Sequence, residues 1–227
     1  MEPQTSTRNT RRRKKVSSVI KILESIGAIL PKSHFVGTSG RHFDTYIDTD
    51  PISPHPKKVS LISKKFAQKF KDAKIEVVAA PAISGIVFAQ WTAHHLSQLT
   101  GKEVLAIHTE KTVNNEQLLE RGFDKLVRGK RCLVIEDLTT TGGSIKKVIT
   151  ALQQAGAQVV QACVMINREP KNVTSATIGV PFSVLAELEV TSYSAKECPL
   201  CKRKVPINTI VGHSKEFLEE QRQKRTK

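Results

Sequence analysis

The sequence predicts an α/β fold: a mainly parallel central sheet flanked by helices, forming one domain with charged tails in 227 residues. Two patterns carry this. Strand-like runs recur at residues 75–80, 104–108, 132–135, 158–166 and 184–190, and helix-period segments stand between most of them. The run Cys132–Ile135 shows no polar alternation, as a strand buried on both faces requires. Strands alternating with helices imply βαβ units, whose ligands bind beyond the carboxyl ends of the strands.

In chain order, residues 1–15 contain the basic block Arg11–Lys15 and read as a disordered tail. From Ser17 the spacing Val19, Ile20, Leu23, Ile26, Leu30 predicts a helix capped by Ser17 or Ser18 and ended by Pro31. Residues 33–50, punctuated by Gly, Ser and Thr, predict a loop or hairpin with Tyr46 and Ile47 extended. Val59, Ile62, Phe66 and Phe70 predict a second amphipathic helix. A strand over 75–80 is broken by Pro81 and Gly85; a helix over 86–99 and a strand over 104–108 follow. Trp91, His94 and His95 on that helix read as packing residues, because no Cys or acid stands at metal spacing. Residues 109–129 are polar and break the rhythm, which predicts a long irregular loop acting as a lid. Residues 16–195 form the predicted domain, and 196–227 hold a C-x-x-C and a basic end.

Composition excludes several classes. Hydrophobic content is 39%, and no apolar run approaches the roughly 20 residues that span a bilayer. The N-terminus lacks the apolar core of a signal peptide, so a cytoplasmic location and four reduced cysteines are expected, rather than disulfides. The net charge of +15 is concentrated in the tails. These could contact nucleic acid non-specifically, but aromatics make up only 5% and no nucleic-acid signature is present.

The chemistry centres on C-L-V-I-E-D-L-T-T-T-G-G-S-I, residues 132–145. A buried strand, an acidic pair, a hydroxyl- and glycine-rich turn and a helix follow one another. Unpaired N–H groups at a helix N-terminus attract phosphate, and glycines let it come close. Carboxylates at a strand end accept hydrogen bonds from sugar hydroxyls, so one turn holds a phosphate beside its ribose. No G-x-G-x-x-G is present, and Gly129-Lys130 leads into a strand, which rules out a Walker A loop.

V-I-E-D-L-T-T-T-G-G-S resembles the thirteen-residue phosphoribosyl-pyrophosphate (PRPP) motif of type I phosphoribosyltransferases. The resemblance implies that fold, with an N-terminal hood over about residues 16–58. It assigns Glu136 and Asp137 to the ribose hydroxyls, and Thr139, Thr140, Thr141, Gly142, Gly143 and Ser144 to PRPP. A-P-A-I-S-G-I resembles a pyrophosphate loop, implicating Ala82, Ile83, Ser84 and Gly85, although many members carry lysine where Ser84 stands. Within the family the chain is most similar to orotate phosphoribosyltransferases from about Ile26 to Asn208. Their hood implies orotate contacts from Ser39, Gly40, Arg41 and Tyr46, joined by Thr140 and by Arg168 of I-N-R-E. Lys111 and Arg121 would be catalytic loop cations.

The implied reaction is transfer of phosphoribosyl from PRPP to orotate, giving orotidine 5′-monophosphate and pyrophosphate in pyrimidine synthesis. Mg²⁺ would ride on the substrates, with no dedicated protein ligand. A homodimer is implied by the family. Two alternatives stand beside it: a purine salvage phosphoribosyltransferase, and a non-catalytic PRPP-binding regulator. Separately, Cys198-Pro-Leu-Cys201 is half a zinc site. It needs two more ligands, of which His213 could supply one or a second subunit another pair, and is otherwise a turn with free thiols.

Overall fold

A computed structural model describes residues 17–37, 40–211 and 214–225. The first part of the chain comprises α1 (Ser18–Glu24), β1 (Ile29–Leu30), β2 (Phe35–Val36), β3 (His42–Phe43), β4 (Tyr46–Ile47) and α2 (Pro56–Phe70). Then follow β5 (Val77–Pro81), α3 (Ser84–Thr100), β6 (Leu105–Lys111), β7 (Gln117–Leu118), α4 (Phe123–Val127), β8 (Arg131–Thr139) and α5 (Gly143–Gln154). The chain continues through β9 (Gln158–Asn167), α6 (Ser175–Ile178), β10 (Phe182–Glu187), β11 (Ser192–Tyr193), α7 (Pro199–Lys202) and α8 (Ser214–Arg225). The expected 1–15 tail lies outside the described residues.

Six strands form the central sheet in the order β10-β9-β8-β5-β6-β7. Pairing is parallel from β10 to β6, and only β7 is antiparallel. Both faces are buried, as the apolar runs predicted. On β5, Val78 and Ala80 join Leu133, Ile135 and Met165 in a core under α1, α2 and α3. Val77 and Ala79 face the opposite core with Val134, Val164 and the α5 residues Ile145, Val148, Ile149 and Leu152. Period-2 strands between two helical layers therefore have no solvent face.

Three expectations are corrected. Helix α1 stops at Glu24 instead of running to Leu30: Gly27 turns the chain at φ 69°, and Ile29–Leu30 leaves to pair with β4. Its predicted cap does form, the Ser17 hydroxyl accepting the Val19 N–H. Residues 109–129 are not an irregular loop. β6 runs on to Lys111, turns through Thr112–Glu116 and pairs with β7, and α4 follows. Inside that hairpin the buried Thr109 hydroxyl donates to Gln117 Oε1 at 2.6 Å, a pairing that polar composition hides. Finally, β8 does not stop at Ile135. The ladder to β9 continues through Glu136↔Val164 to Thr139↔Asn167, so the acids lie within the strand.

The hood is built from small pieces. β1 pairs with β4, and β11-β3-β2 form a three-stranded sheet that brings the chain's C-terminal third against its N-terminal part. No helix among the described residues is long and apolar enough to cross a membrane.

Candidate active site

The carboxyl end of β8 forms the floor of a cavity of about 520 Å³. Successive strand residues point to opposite faces, and this separates the two acids. Glu136 lines the cavity, buried, with Oε2 lacking a partner among the described residues. Burial, and secondarily the charge of Asp137, push its carboxyl up from 4.5 to about 8, although a Ser144 hydrogen bond opposes the shift. Asp137 is not part of the lining. Its carboxylate accepts the Thr49 hydroxyl at 2.6 Å and the Leu138 N–H at 2.7 Å.

Beyond the strand the chain folds into an anion cradle. Thr139 Oγ1 accepts the Gly142 N–H at 3.0 Å, and Thr141 Oγ1 accepts the Gly143 N–H at 3.3 Å, so the threonines shape the turn. Gly142 caps α5 at φ 76°; a Cβ there would meet Ile178 Cδ1 at 2.6 Å. The Thr141 hydroxyl takes the Gly143 N–H, and Gly142 has no side chain to cap the helix. Its first N–H groups and the positive end of its dipole therefore face the space lined by Thr139, Thr140, Thr141, Gly143 and Ser144.

The opposite wall comes from the hood. Arg41 donates from Nε and Nη2 to the Ser192 hydroxyl (2.8 Å) and carbonyl (2.7 Å), bridging the β2–β3 hairpin to β11. Phe43 stacks on Tyr46 with ring centroids 6.2 Å apart. Arg168 follows β9, its N–H bonded to the Thr139 carbonyl, and its guanidinium sits 4.8 Å above the Phe43 ring. The side chain is only 8% exposed, and Nε has no partner among the described residues. A buried cation over an aromatic face is a recognition device for a planar anion.

Arg41, Tyr46, Glu136, Thr139–Thr141, Gly143, Ser144 and Arg168 thus meet around one cavity. Gly40 turns the hairpin at φ 70°, while Ser39 lies outside the described residues. Other anticipated residues lie elsewhere. Lys111 and Arg121 line a neighbouring cleft of about 390 Å³, where Arg121 Nε pairs with Glu110 at 2.7 Å. Ala82, Ile83, Ser84 and Gly85 join β5 to α3 at the same sheet edge but do not line the cavity; Ile83 is 85% exposed. Gly85 packs so closely that a Cβ would come within 2.8 Å of Ala80 Cβ. Trp91, His94 and His95 stack on one another, and His95 Nε2 shares a hydrogen bond with Ser60.

Sequence reasoning missed Phe43, Ser192 and Thr49. Phe43 was visible only as part of an aromatic hairpin; Ser192 and Thr49 gave no local signal, since their partners are 151 and 88 residues away.

The chain matches the phosphoribosyl transferase domain over residues 48–198. It is 35% identical over 189 residues to an orotate phosphoribosyltransferase of Caldanaerobacter subterraneus subsp. tengcongensis, covering 83% of this chain and 93% of that one. A second, from Chlorobium phaeobacteroides, is 36% identical over 190 residues, 84% of this chain and 92% of its own. In structure, the Mycobacterium tuberculosis orotate phosphoribosyltransferase superposes with a TM-score of 0.60 at 22% identity. That match covers 75% of this chain and 96% of that one.

Proposed function

This chain belongs to the phosphoribosyl transferase domain family, and on that premise we propose that it transfers phosphoribosyl from PRPP to orotate. The products are orotidine 5′-monophosphate and pyrophosphate. The bond from C1 of the ribose to the pyrophosphate oxygen breaks as the bond to N1 of orotate forms, and the N1 proton passes to the leaving pyrophosphate. The observation that carries base choice is Arg168: a buried guanidinium whose Nε has no partner among the described residues, stacked on Phe43 and lining the same cavity as the phosphate turn. Orotate supplies a planar ring for that stack and a carboxylate for the cation.

The chain's own groups do five things. The α5 N-terminus and the Thr140–Ser144 turn hold the 5′-phosphate. Glu136 and Asp137 accept the ribose hydroxyls, Asp137 being held for this by Thr49. Arg168 and the hood residues Arg41 and Tyr46 fix the base, so the reacting atoms meet with little further loss of freedom. Lys111 and Arg121 neutralise the leaving pyrophosphate from the adjacent cleft, reached by movement of the β6–β7 hairpin. The Ala82–Gly85 turn gives pyrophosphate a second backbone contact.

The donor set suits Mg²⁺. Hard oxygens of Glu136 and the threonine turn stand beside the position of a polyphosphate substrate, and Glu136 Oε2 is buried without a partner among the described residues. When carried on substrate oxygens there, Mg²⁺ supplies neutralisation of the leaving group's charge. The proposal includes a cytoplasmic homodimer, with residues 16–58 serving as the hood of a 16–195 domain.

The deciding experiment incubates purified protein with PRPP, Mg²⁺ and one base at a time, following pyrophosphate release and nucleotide formation. Orotate should be consumed. Turnover of hypoxanthine or adenine without orotate would replace this reading with purine salvage, and PRPP binding without any turnover would leave a regulator.

A further inference from the structure

Away from the cavity, the hood hairpin and the C-terminal segment place four ligating side chains together. His34, His42, Cys198 and Cys201 each offer one atom, and all four atoms lie within 4.8 Å of one another. His34, His42 and Cys198 are almost wholly buried, at 1%, 1% and 0% exposure. We propose that these four residues form a structural zinc site that clamps the β2–β3 hairpin to the C-terminal segment.

Three sulfur–nitrogen edges of the cluster have the right lengths. Cys201 Sγ lies 3.4 Å from His42 Nδ1 and 3.7 Å from His34 Nε2, and Cys198 Sγ lies 3.8 Å from His34 Nε2. A tetrahedral ion with Zn–S near 2.3 Å and Zn–N near 2.0–2.1 Å sets sulfur–nitrogen edges of about 3.6 Å. The two nitrogens, 2.7 Å apart, need to separate by about 0.6 Å to admit it.

His34 is already in the tautomer a metal requires. Its Nδ1 lies 2.8 Å from the Val205 carbonyl, which can only accept; the proton therefore sits on Nδ1 and the Nε2 lone pair faces the cluster. His42 presents Nδ1 inward, while its Nε2 is buried without a partner among the described residues. Without an ion, the rings bond each other and the Val205 carbonyl, and His42 Nε2 is buried with no partner among the described residues, an arrangement proteins seldom keep.

The two cysteines sit on one turn. Cys198 caps α7, Pro199 begins it, and the Lys204 and Val205 N–H groups return to the Cys201 and Leu200 carbonyls. Soft thiolates with imidazoles in an S₂N₂ set favour zinc over hard cations. Four protein ligands leave no open position, so the site is structural. A cavity of about 360 Å³ bordering His42 and Cys201 gives an ion or chelator a way in. His213, the candidate third ligand from sequence, lies outside the described residues, and the four positions are filled without it.

The link matters for the pocket because Arg41 and Phe43 ride on the same hairpin as His34 and His42. The test uses full-length, untagged protein from zinc-supplemented cells. Elemental analysis should give about one zinc per chain. Cys198→Ser and His34→Gln should each lose it, His42→Cys should keep it as a Cys₃His site, and Cys163→Ala should leave it unchanged. Cobalt exchanged into wild-type protein should show tetrahedral ligand-field bands and thiolate charge transfer, which decides the matter if a variant fails to fold. Wild type that holds no metal, with four free thiols or a Cys198–Cys201 disulfide, overturns the proposal. So does stoichiometric zinc that survives both Cys198→Ser and His34→Gln.

Discussion

The guanidinium of Arg168 lies 4.8 Å over the ring of Phe43, joining the end of the central sheet to the hood. This stack holds a cation where water reaches it poorly. Arg168→Leu should therefore raise the orotate KM while PRPP binding stays nearly unchanged. Loss of a hydrogen-bonded charge partner costs about 2 kcal/mol, roughly 30-fold in KM. Separate titrations of the two substrates against the variant check this; equal weakening of both would make Arg168 a support for the whole cavity rather than a base ligand.

The two acids of β8 make a second prediction. Glu136→Gln and Asp137→Asn should each cut kcat by about 10²–10³-fold, the usual loss on removing one preorganised transition-state contact. Because Thr49 holds Asp137 at 2.6 Å, Thr49→Val should show a milder loss, about ten- to a hundredfold for one hydrogen bond to a carboxylate, and Thr49→Ser should restore the rate. Steady-state kinetics with circular dichroism as the folding control reads all four variants. Wild-type turnover in the Glu136→Gln/Asp137→Asn double variant would remove the ribose assignment.

Burial gives Glu136 a stability signature. Its carboxyl is raised from 4.5 to about 8 in the folded state, so the folded protein binds the proton more tightly than the unfolded chain. That contribution is fully present below about pH 4.5 and is lost as pH rises through about 8, with a slope of at most about 1.4 kcal/mol per pH unit for one proton. Thermal melts of wild type between pH 5 and 8 should therefore fall relative to those of Glu136→Gln. Parallel curves for the two proteins would contradict the shift.

Local patterns announced the central elements. The apolar strands β5, β8 and β9, the glycine turn before α5 and the position of Arg168 after β9 could all be read from residues within one element of each other. What stayed hidden depended on distant partners. The ladder from β8 to β9 carried Glu136 and Asp137 inside the strand, where local polarity had placed a strand end. Ile29 and Leu30 fit the helical period of α1, and only Tyr46 and Ile47 draw them into a strand. The Cys198–Cys201 turn looked like half a site because its companions His34 and His42 stand more than 150 residues upstream.

The cleft beside the cavity carries the last prediction. Arg121 and Glu110 are paired at 2.7 Å, but their side chains are 65% and 39% exposed. An exposed pair of this kind is worth under about 1 kcal/mol, so Arg121 can exchange Glu110 for a pyrophosphate oxygen at little cost. Lys111 ends β6 in the same cleft, and the hairpin beyond it is hooked to α5 by Lys147 on the Asn115 carbonyl. Lys147 also reaches Glu116 at 3.8 Å, so both cations sit on a segment tied by this one lysine to the helix whose N-terminus forms the phosphate cradle. Lys111→Ala and Arg121→Ala should each lower kcat, leave the orotate KM close to wild type and leave the melting temperature unchanged. Added salt should raise the PRPP KM of wild type more than that of either variant, because screening acts on charges the variants have already lost. A double variant with undiminished kcat would place the leaving-group contacts elsewhere on the sheet edge, with the Ala82–Gly85 turn the next segment to mutate.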